Sequence, residues 1–442
     1  MSQSHIQTSN GANRAPLYFA GMAALIIAVG FLQSWNSALF ILNMGLVSAI
    51  MALGVNLQWG FAGLFNVGVM GFVALGGLAV VLVSTSPVGE AWQAGGMRVL
   101  FALALGVATI VGAIVAWQKL PKNKLRALVV AIILIAGFFI FRAVFDPAVA
   151  AIEAVNPAIS GNLGGLGLPV LLAWPVGGLF AAGAAWLVAK TALGLRSDYL
   201  AIATLGIAEI IIAVLKNEDW LGRGVKNVIG LPRPVPYEID LQQSEWFVGL
   251  MQSMGADPVT ASSIFVKLCY AGLFLAVILL LIAAMQLALN SPWGRMMRAI
   301  RDNEVSSEAM GKNVTGRHLQ IFVLGAAICG LAGAMMTTLD GQLTPSSYQP
   351  LRYTFLVWVM VIVGGSGNNW GAVLGGLFIW FLWVEVEPIG RFIAELVTSG
   401  MADTSVVKQT ILERTVYVRP LTMGLVLLFV LRFNPRGLLP ER

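Results

Sequence analysis

Apolar residues run along this chain in blocks long enough to cross a bilayer, separated by short polar connections. A helical crossing needs about 20 mostly apolar residues. Such blocks fall at 17–36, 38–58, 61–84, 98–118, 125–145, 169–189, 198–216, 263–289, 319–339 and 416–432. The region 353–386 differs, because two shorter apolar arms flank Gly364-Gly365-Ser366-Gly367-Asn368-Asn369-Trp370. It is expected to enter and return as a pair of short helices or as a re-entrant hairpin buried against protein, since irregular backbone cannot face lipid. The expected fold is all-α: a polytopic transmembrane helix bundle of about 10 spans plus that pair. A single transmembrane domain over 17–432 would lie between polar tails at 1–16 and 433–442.

Composition makes the membrane unavoidable. The 442 residues are 58% hydrophobic and only 11% charged, with mean hydropathy +0.83, whereas a soluble domain carries about 25% charged residues. From residue 15 to residue 97 the sole charge is Glu90. The net charge of +6 is scattered between apolar runs and forms no block of Lys or Arg. That is the bias of a membrane protein's inner loops, and no nucleic-acid partner is expected. Cys269 and Cys329 lie inside apolar runs and read as packing residues. His5 and His318 are too few and too far apart to suggest a metal site.

The basic loops set an orientation. Lys119, Lys122, Lys124 and Arg126 crowd one connection, and Lys190 and Arg196 another. Arg295, Arg298, Arg301, Lys312 and Arg317 fill a third, and Arg432, Arg436 and Arg442 mark the tail. Counting spans puts all four on one side if 353–386 enters and returns. The positive-inside rule makes that side cytoplasmic, with both termini there. The other side holds loops at about 146–168, 217–262 and 387–415. The middle one carries Leu231-Pro232-Arg233-Pro234-Val235-Pro236, which cannot be helical. It reads equally as an external docking surface or a plain connector.

The loop 290–318 holds the most specific pattern. Pro292 can open a helix, with Met296, Met297 and Ile300 on one face and Arg295, Arg298 and Arg301 on another. Asp302 or Asn303 can cap a second helix of about two turns that ends near Gly311. Val305, Ala309 and Met310 would give it a small apolar face. Such an element suits either a groove on a partner or the lipid interface.

Gly294-Arg295-Met296-Met297-Arg298-Ala299-Ile300-Arg301-Asp302-Asn303-Glu304, followed by Glu308-Ala309-Met310-Gly311, resembles the EAA-type coupling loop of ABC-importer permeases. In detail it is similar to the branched-chain amino acid (LivM-type) permease family, departing in Asp302 for Glu and Ser307 for Ala. The stretch Arg196-Ser197-Asp198-Tyr199-Leu200-Ala201-Ile202-Ala203-Thr204-Leu205-Gly206-Ile207-Ala208-Glu209-Ile210 resembles a span of that family. So do the Gly-rich run Ser366–Gly375 and the tail Asn434-Pro435-Arg436-Gly437-Leu438. The match runs over roughly 40–440, poorest in parts of 85–170. The resemblance implies a type II-like permease that passes branched-chain amino acids or related small solutes across the bacterial inner membrane. It also implies a sister permease of the LivH type, two cytoplasmic ATP-binding subunits and a periplasmic substrate-binding protein. The residues implied to couple to the ATPase are Gly294, Arg295, Arg298, Ala299, Arg301, Glu304, Glu308, Ala309 and Gly311.

Chemistry of the chain's own is sparse. Gly311-Lys312-Asn313 lacks the upstream glycine and the following Ser or Thr of a phosphate-binding P-loop. ATP and magnesium would therefore belong to partner subunits, with no cofactor in this chain. No nucleophile–base pair or paired carboxylates stand out in the spans, so an enzyme is not expected. Glu209 sits deep in the span 198–216 with Thr204 five residues before it, and reads as a pathway carboxylate or as an interhelical hydrogen bond. Asn56, Gln58 and Asn66 flank a Gly60-Phe61-Ala62-Gly63 break and read either as cavity lining or as helix-to-helix glue. The competing class is an ion-coupled secondary transporter for a small zwitterionic solute, which would have to rest on Glu209.

Overall fold

In the computed structural model, residues 8–157, 161–194, 197–401 and 405–441 are described; His5, Arg196 and Arg442 lie outside them. The helices that build the bundle are α1 (Thr8–Leu32), α2 (Trp35–Val55), α3 (Val69–Ser84), α4 (Met97–Lys119), α5 (Lys124–Glu153), α6 (Val170–Ala192) and α7 (Ser197–Asn217). They continue as α8 (Pro258–Asn290), α9 (Pro292–Asp302), α10 (Glu304–Ala309), α11 (Val314–Asp340), α12 (Pro350–Gly364), α13 (Asn369–Val397) and α14 (Val418–Phe433). Among the described residues, 10 helical segments are long and apolar enough to cross a membrane, with α3 and α12 shorter. The strand content among the described residues is one antiparallel pair, Val228–Ile229 against Gln342–Leu343.

The core is a knot of α2, α3, α6, α11 and α13. It is built by close backbone approach as much as by large side chains. A Cβ on Gly76 of α3 would sit 1.8 Å from the Gly330 carbonyl oxygen of α11, so only glycine permits that crossing. Around the knot lie α1, α8, α12 and α14. The pair α4–α5 packs chiefly on itself, joined to the rest through a small cluster of Ala91, Val99, Ala148, Ile152, Leu163 and Trp220.

Three elements depart from the apolar blocks. The block 61–84 becomes helical only at Val69, after a π-helical turn at Asn56–Gly60 and an extended stretch. At about 1.5 Å per residue α3 and α12 are each too short for a 30 Å core, and protein surrounds their non-helical leads. The second arm of 353–386 is not short: α13 continues to Val397 through Glu385 and Glu387. Those charges do not end the helix because Gln33 donates to Glu385 at 2.6 Å and Arg419 pairs with Glu387 at 2.8 Å. The segment 217–262 is partly ordered as short helices Glu238–Gln243 and Glu245–Ser253, with Leu231–Pro236 non-helical.

Candidate functional site at the basic end of the bundle

The α9–α10 element is pinned from one side and open on the other. Ser291 is extended, and Pro292 starts α9 at a position where a missing N–H costs nothing. Gly294, Met297 and Ile300 are buried against the bundle. Arg295 donates to the Asn290 carbonyl at 3.1 Å and Arg298 to that of Leu289 at 3.4 Å. Both cations thus satisfy carbonyls at the end of α8. At Asn303 the chain turns, and its side chain accepts from the Ser306 N–H at 2.9 Å to cap α10. Ser307 faces back, donating to the Asn303 carbonyl at 2.9 Å, with Ala299 also in reach at 3.2 Å.

Gly311 closes α10 in the left-handed region, at φ 76°. Its N–H donates to Glu308 at 2.8 Å and that of Lys312 to Ser307 at 3.2 Å, the paired bonds of a Schellman stop. What remains outward is Glu304, Val305, Glu308, Ala309 and Met310, with Val305 77% and Met310 79% exposed. Two bulky apolar side chains therefore stand beside two carboxylates on a surface of about two turns.

Arg301 joins this element to the core. Its guanidinium donates to the Gly60 carbonyl, to Glu441 at 3.0 Å and to Asp302 at 3.3 Å. Burial works against its charge, but the carboxylates of Glu441 and Asp302 outweigh it and hold the guanidinium above its already high range. The sequence groups Arg301 with Arg295 and Arg298 on a face away from the apolar one; the structure turns it inward, where it finds the broken end of α2.

That break is fully stitched. Asn56 donates to Asn369 at 3.3 Å and accepts from the Gly367 N–H at 2.8 Å. Gln58 donates to the Phe322 carbonyl at 2.7 Å and accepts from Asn66 at 2.9 Å. Asn66 also accepts from the Gly68 N–H at 2.8 Å, and its carbonyl accepts from the Trp358 indole at 3.0 Å. The tail then straps over the α12–α13 turn: Leu438 and Leu439 donate to Val363 and Gly364 at 2.8 and 2.9 Å, and Asn368 donates to Pro440 at 3.2 Å. Every amide read as cavity lining is committed to holding irregular backbone inside protein, which is the condition for tolerating it at all.

Thr204 and Glu209 are not brought together. Thr204 is buried, accepts from the Val67 N–H at 3.1 Å and donates to the Ala201 carbonyl at 3.0 Å, so it supports the extended lead into α3. Glu209 lies on the outer face of α7 with Ile202 and Ile210, both exposed. Nothing would meet a Cβ added at Gly206 on this face. Among the described residues Glu209 makes no hydrogen bond or ion pair with a neighbouring span.

A family profile described as the permease component of branched-chain amino acid transport systems matches residues 37–153 and 148–396. The chain belongs to that family. It is 29% identical over 238 residues to the high-affinity branched-chain amino acid transport system permease protein LivM of Escherichia coli (strain K12), covering 52% of this chain and 53% of that one. It is 25% identical over 301 residues to the probable branched-chain amino acid transport permease protein LivM of Methanocaldococcus jannaschii, covering 66% and 74%. A ribose import permease protein, RbsC of Haemophilus influenzae, is 26% identical over 266 residues, covering 59% and 75%. The match spans about half the length of the Escherichia coli relative, and no solved structure matches.

As a member of this permease family the chain is a multi-pass membrane protein. Sequence reasoning placed α9 and α10 but missed their anchor. Glu441 gave no local signal and Gly60 was visible only as part of a helix break, because their bonds to Arg301 span sequence separations of 140 and 241. Gln58 was visible as a polar residue in an apolar block, a signal that pointed to the break without naming Phe322 as its acceptor.

Proposed function

We propose that this chain is the membrane-spanning permease subunit of an ATP-driven importer for branched-chain amino acids or related small solutes. In this reading the basic end faces the cytoplasm, both termini included, in the bacterial inner membrane. The α10 helix seats in a groove on an ATP-binding subunit, two of which would serve this chain and a LivH-type sister permease. A periplasmic binding protein would deliver solute to the opposite end. The chain itself would catalyse nothing, and ATP and magnesium would be held by the partners.

The observation that supports this reading is the α9–α10 element. Val305 and Met310 are exposed on an element whose other side is tied to α9 through Ser307, and through Arg301 to the broken end of α2. An exposed apolar pair on a rigid arm suits a socket. The tie to α2 gives movement of that arm a route into the bundle. Gly294, Arg295, Arg298, Ala299, Glu304, Glu308, Ala309 and Gly311 would shape and orient the arm. Glu209, on a free face of α7, would reach the solute only where the sister permease closes against it.

The test is reconstitution in proteoliposomes with the ATP-binding subunits and binding protein. ATP-dependent uptake is expected, and Val305→Asp should lower it about tenfold while ATP hydrolysis persists; tenfold corresponds to about 1.4 kcal/mol of coupling. Unchanged uptake by Val305→Asp would remove the coupling role, and uptake by this chain alone without ATP would overturn the whole reading.

A further inference from the structure

Within the core, away from the basic end, residues of α2, α3, α11, α12 and α13 line a partly open cavity of about 150 Å³. Its wall is chemically unusual. Met44 and Met51 of α2, Met70 of α3, Met336 of α11 and Met360 of α12 all line it. Thioether side chains are flexible and polarizable, so a methionine-lined wall adapts to branched aliphatic shapes. An apolar cavity of this volume is known to accept a molecule the size of benzene, which is also ample for an isobutyl or sec-butyl group.

Polar groups are gathered at the same cavity, and two lack partners. Asp340 ends α11, where the helix dipole disfavours a negative charge. It is exposed, and no described residue pairs with it. The indole N–H of Trp380, on α13, is buried without an acceptor. Ser48, one turn from Met44 on the same face of α2, adds a buried hydroxyl. An unpaired carboxylate, an unpaired N–H donor and a hydroxyl beside an adaptable apolar wall form the complement of a small zwitterion.

We propose that this cavity binds one free aliphatic α-amino acid. Its ammonium meets Asp340, its carboxylate takes the Trp380 N–H and the Ser48 hydroxyl, and its branched side chain lies among the methionines. The inference rests on the permease reading and deepens it, placing a solute subsite inside a single chain. Tyr348 also lines the cavity, but its hydroxyl is held by Thr337 at 3.0 Å and is not free for the solute.

Equilibrium binding of radiolabelled leucine to the purified full-length chain in nanodiscs tests it, with no ATPase or binding protein present. Saturable binding is expected, at least tenfold weaker in Asp340→Asn and several-fold weaker in Trp380→Phe. Asp340 stands exposed at a helix end, so the first variant should keep the parental melting temperature. Met360→Trp, which fills the cavity, should abolish binding. Isobutylamine should compete weakly and isovalerate, which lacks the ammonium, should not compete. No saturable binding, equal binding by Met360→Trp, or isovalerate competing as well as leucine would each overturn the site. ATP-driven uptake by the assembled importer is measured in parallel. Uptake without binding to the isolated chain removes only this subsite, whereas absence of ATP-driven uptake removes the permease reading.

Discussion

Helices α2 and α5 are both long and predominantly apolar, yet they occupy opposite environments. The best spanning window in the segment Trp35–Gly60, which contains α2, is 89% buried within the protein; that of α5 is 0% buried. In water the more apolar helix would take the centre. In a bilayer lipid solvates apolar side chains as well as protein does, so hydrophobicity no longer sorts centre from edge. The sorting falls to small and polar residues. The centre holds Gly54, Asn56 and Gln58 of the α2 segment, with Gly325 of α11 against Gly54 and Gln58, and Gly76 of α3 against Gly330 of α11. By contrast α5 presents Leu128, Ile132, Ile135 and Phe139 outward.

The largest expected effect breaks this contrast at its sharpest point. Gly76→Leu drives a side chain into the Gly330 carbonyl and is expected to destabilise by about 3 kcal/mol or more. Gly112→Leu in α4, where nothing lies within 4 Å, should leave stability within about 0.5 kcal/mol. Thermal unfolding followed by size-exclusion chromatography in detergent compares the two; equal losses would mean that centre and edge do not differ.

Next comes Arg301→Ala. Losing its charge-assisted bonds to Gly60 and Glu441 is expected to cost about 2 kcal/mol and to loosen the α9–α10 arm. Faster amide hydrogen exchange across 294–311, with α4–α5 unchanged, is the signature; uniform exchange would sever the arm from the core. The smallest is Asn66→Ala against Trp117→Ala. The first removes two buried bonds and should cost about 1 kcal/mol. The second removes a contact with Arg126, 3.9 Å from the ring at an exposed corner, and should cost about 0.5 kcal/mol. Melting temperatures rank them.

The contrast also explains what the sequence made legible. Span length and charge placement follow from bilayer thickness, so most of the crossing helices could be read directly. The cap at Asn303 and the stop at Gly311 are local chemistry and were equally readable. The start of α3 was not, because Phe61–Gly68 is largely apolar and is kept extended by Thr204 and Trp358 from elsewhere, together with its own Asn66. The reach of α13 to Val397 depended on Gln33 and Arg419, which no local window contains. The cavity escaped notice for the same reason: its methionines are spread over four helices and look like ordinary core until they face one another.

Arg301 has a consequence for how the protein is made. Its three partners lie before it, beside it and after it in the chain, at separations of 241, 1 and 140 residues. Segments enter the bilayer in order of synthesis, so Gly60 is in place long before α9 emerges, while Glu441 arrives only after α11 to α14 have been inserted. Until then the guanidinium has the Gly60 carbonyl and the adjacent Asp302 carboxylate but no distant counter-charge. The arm is thus fastened last, only once the rest of the bundle has been laid down.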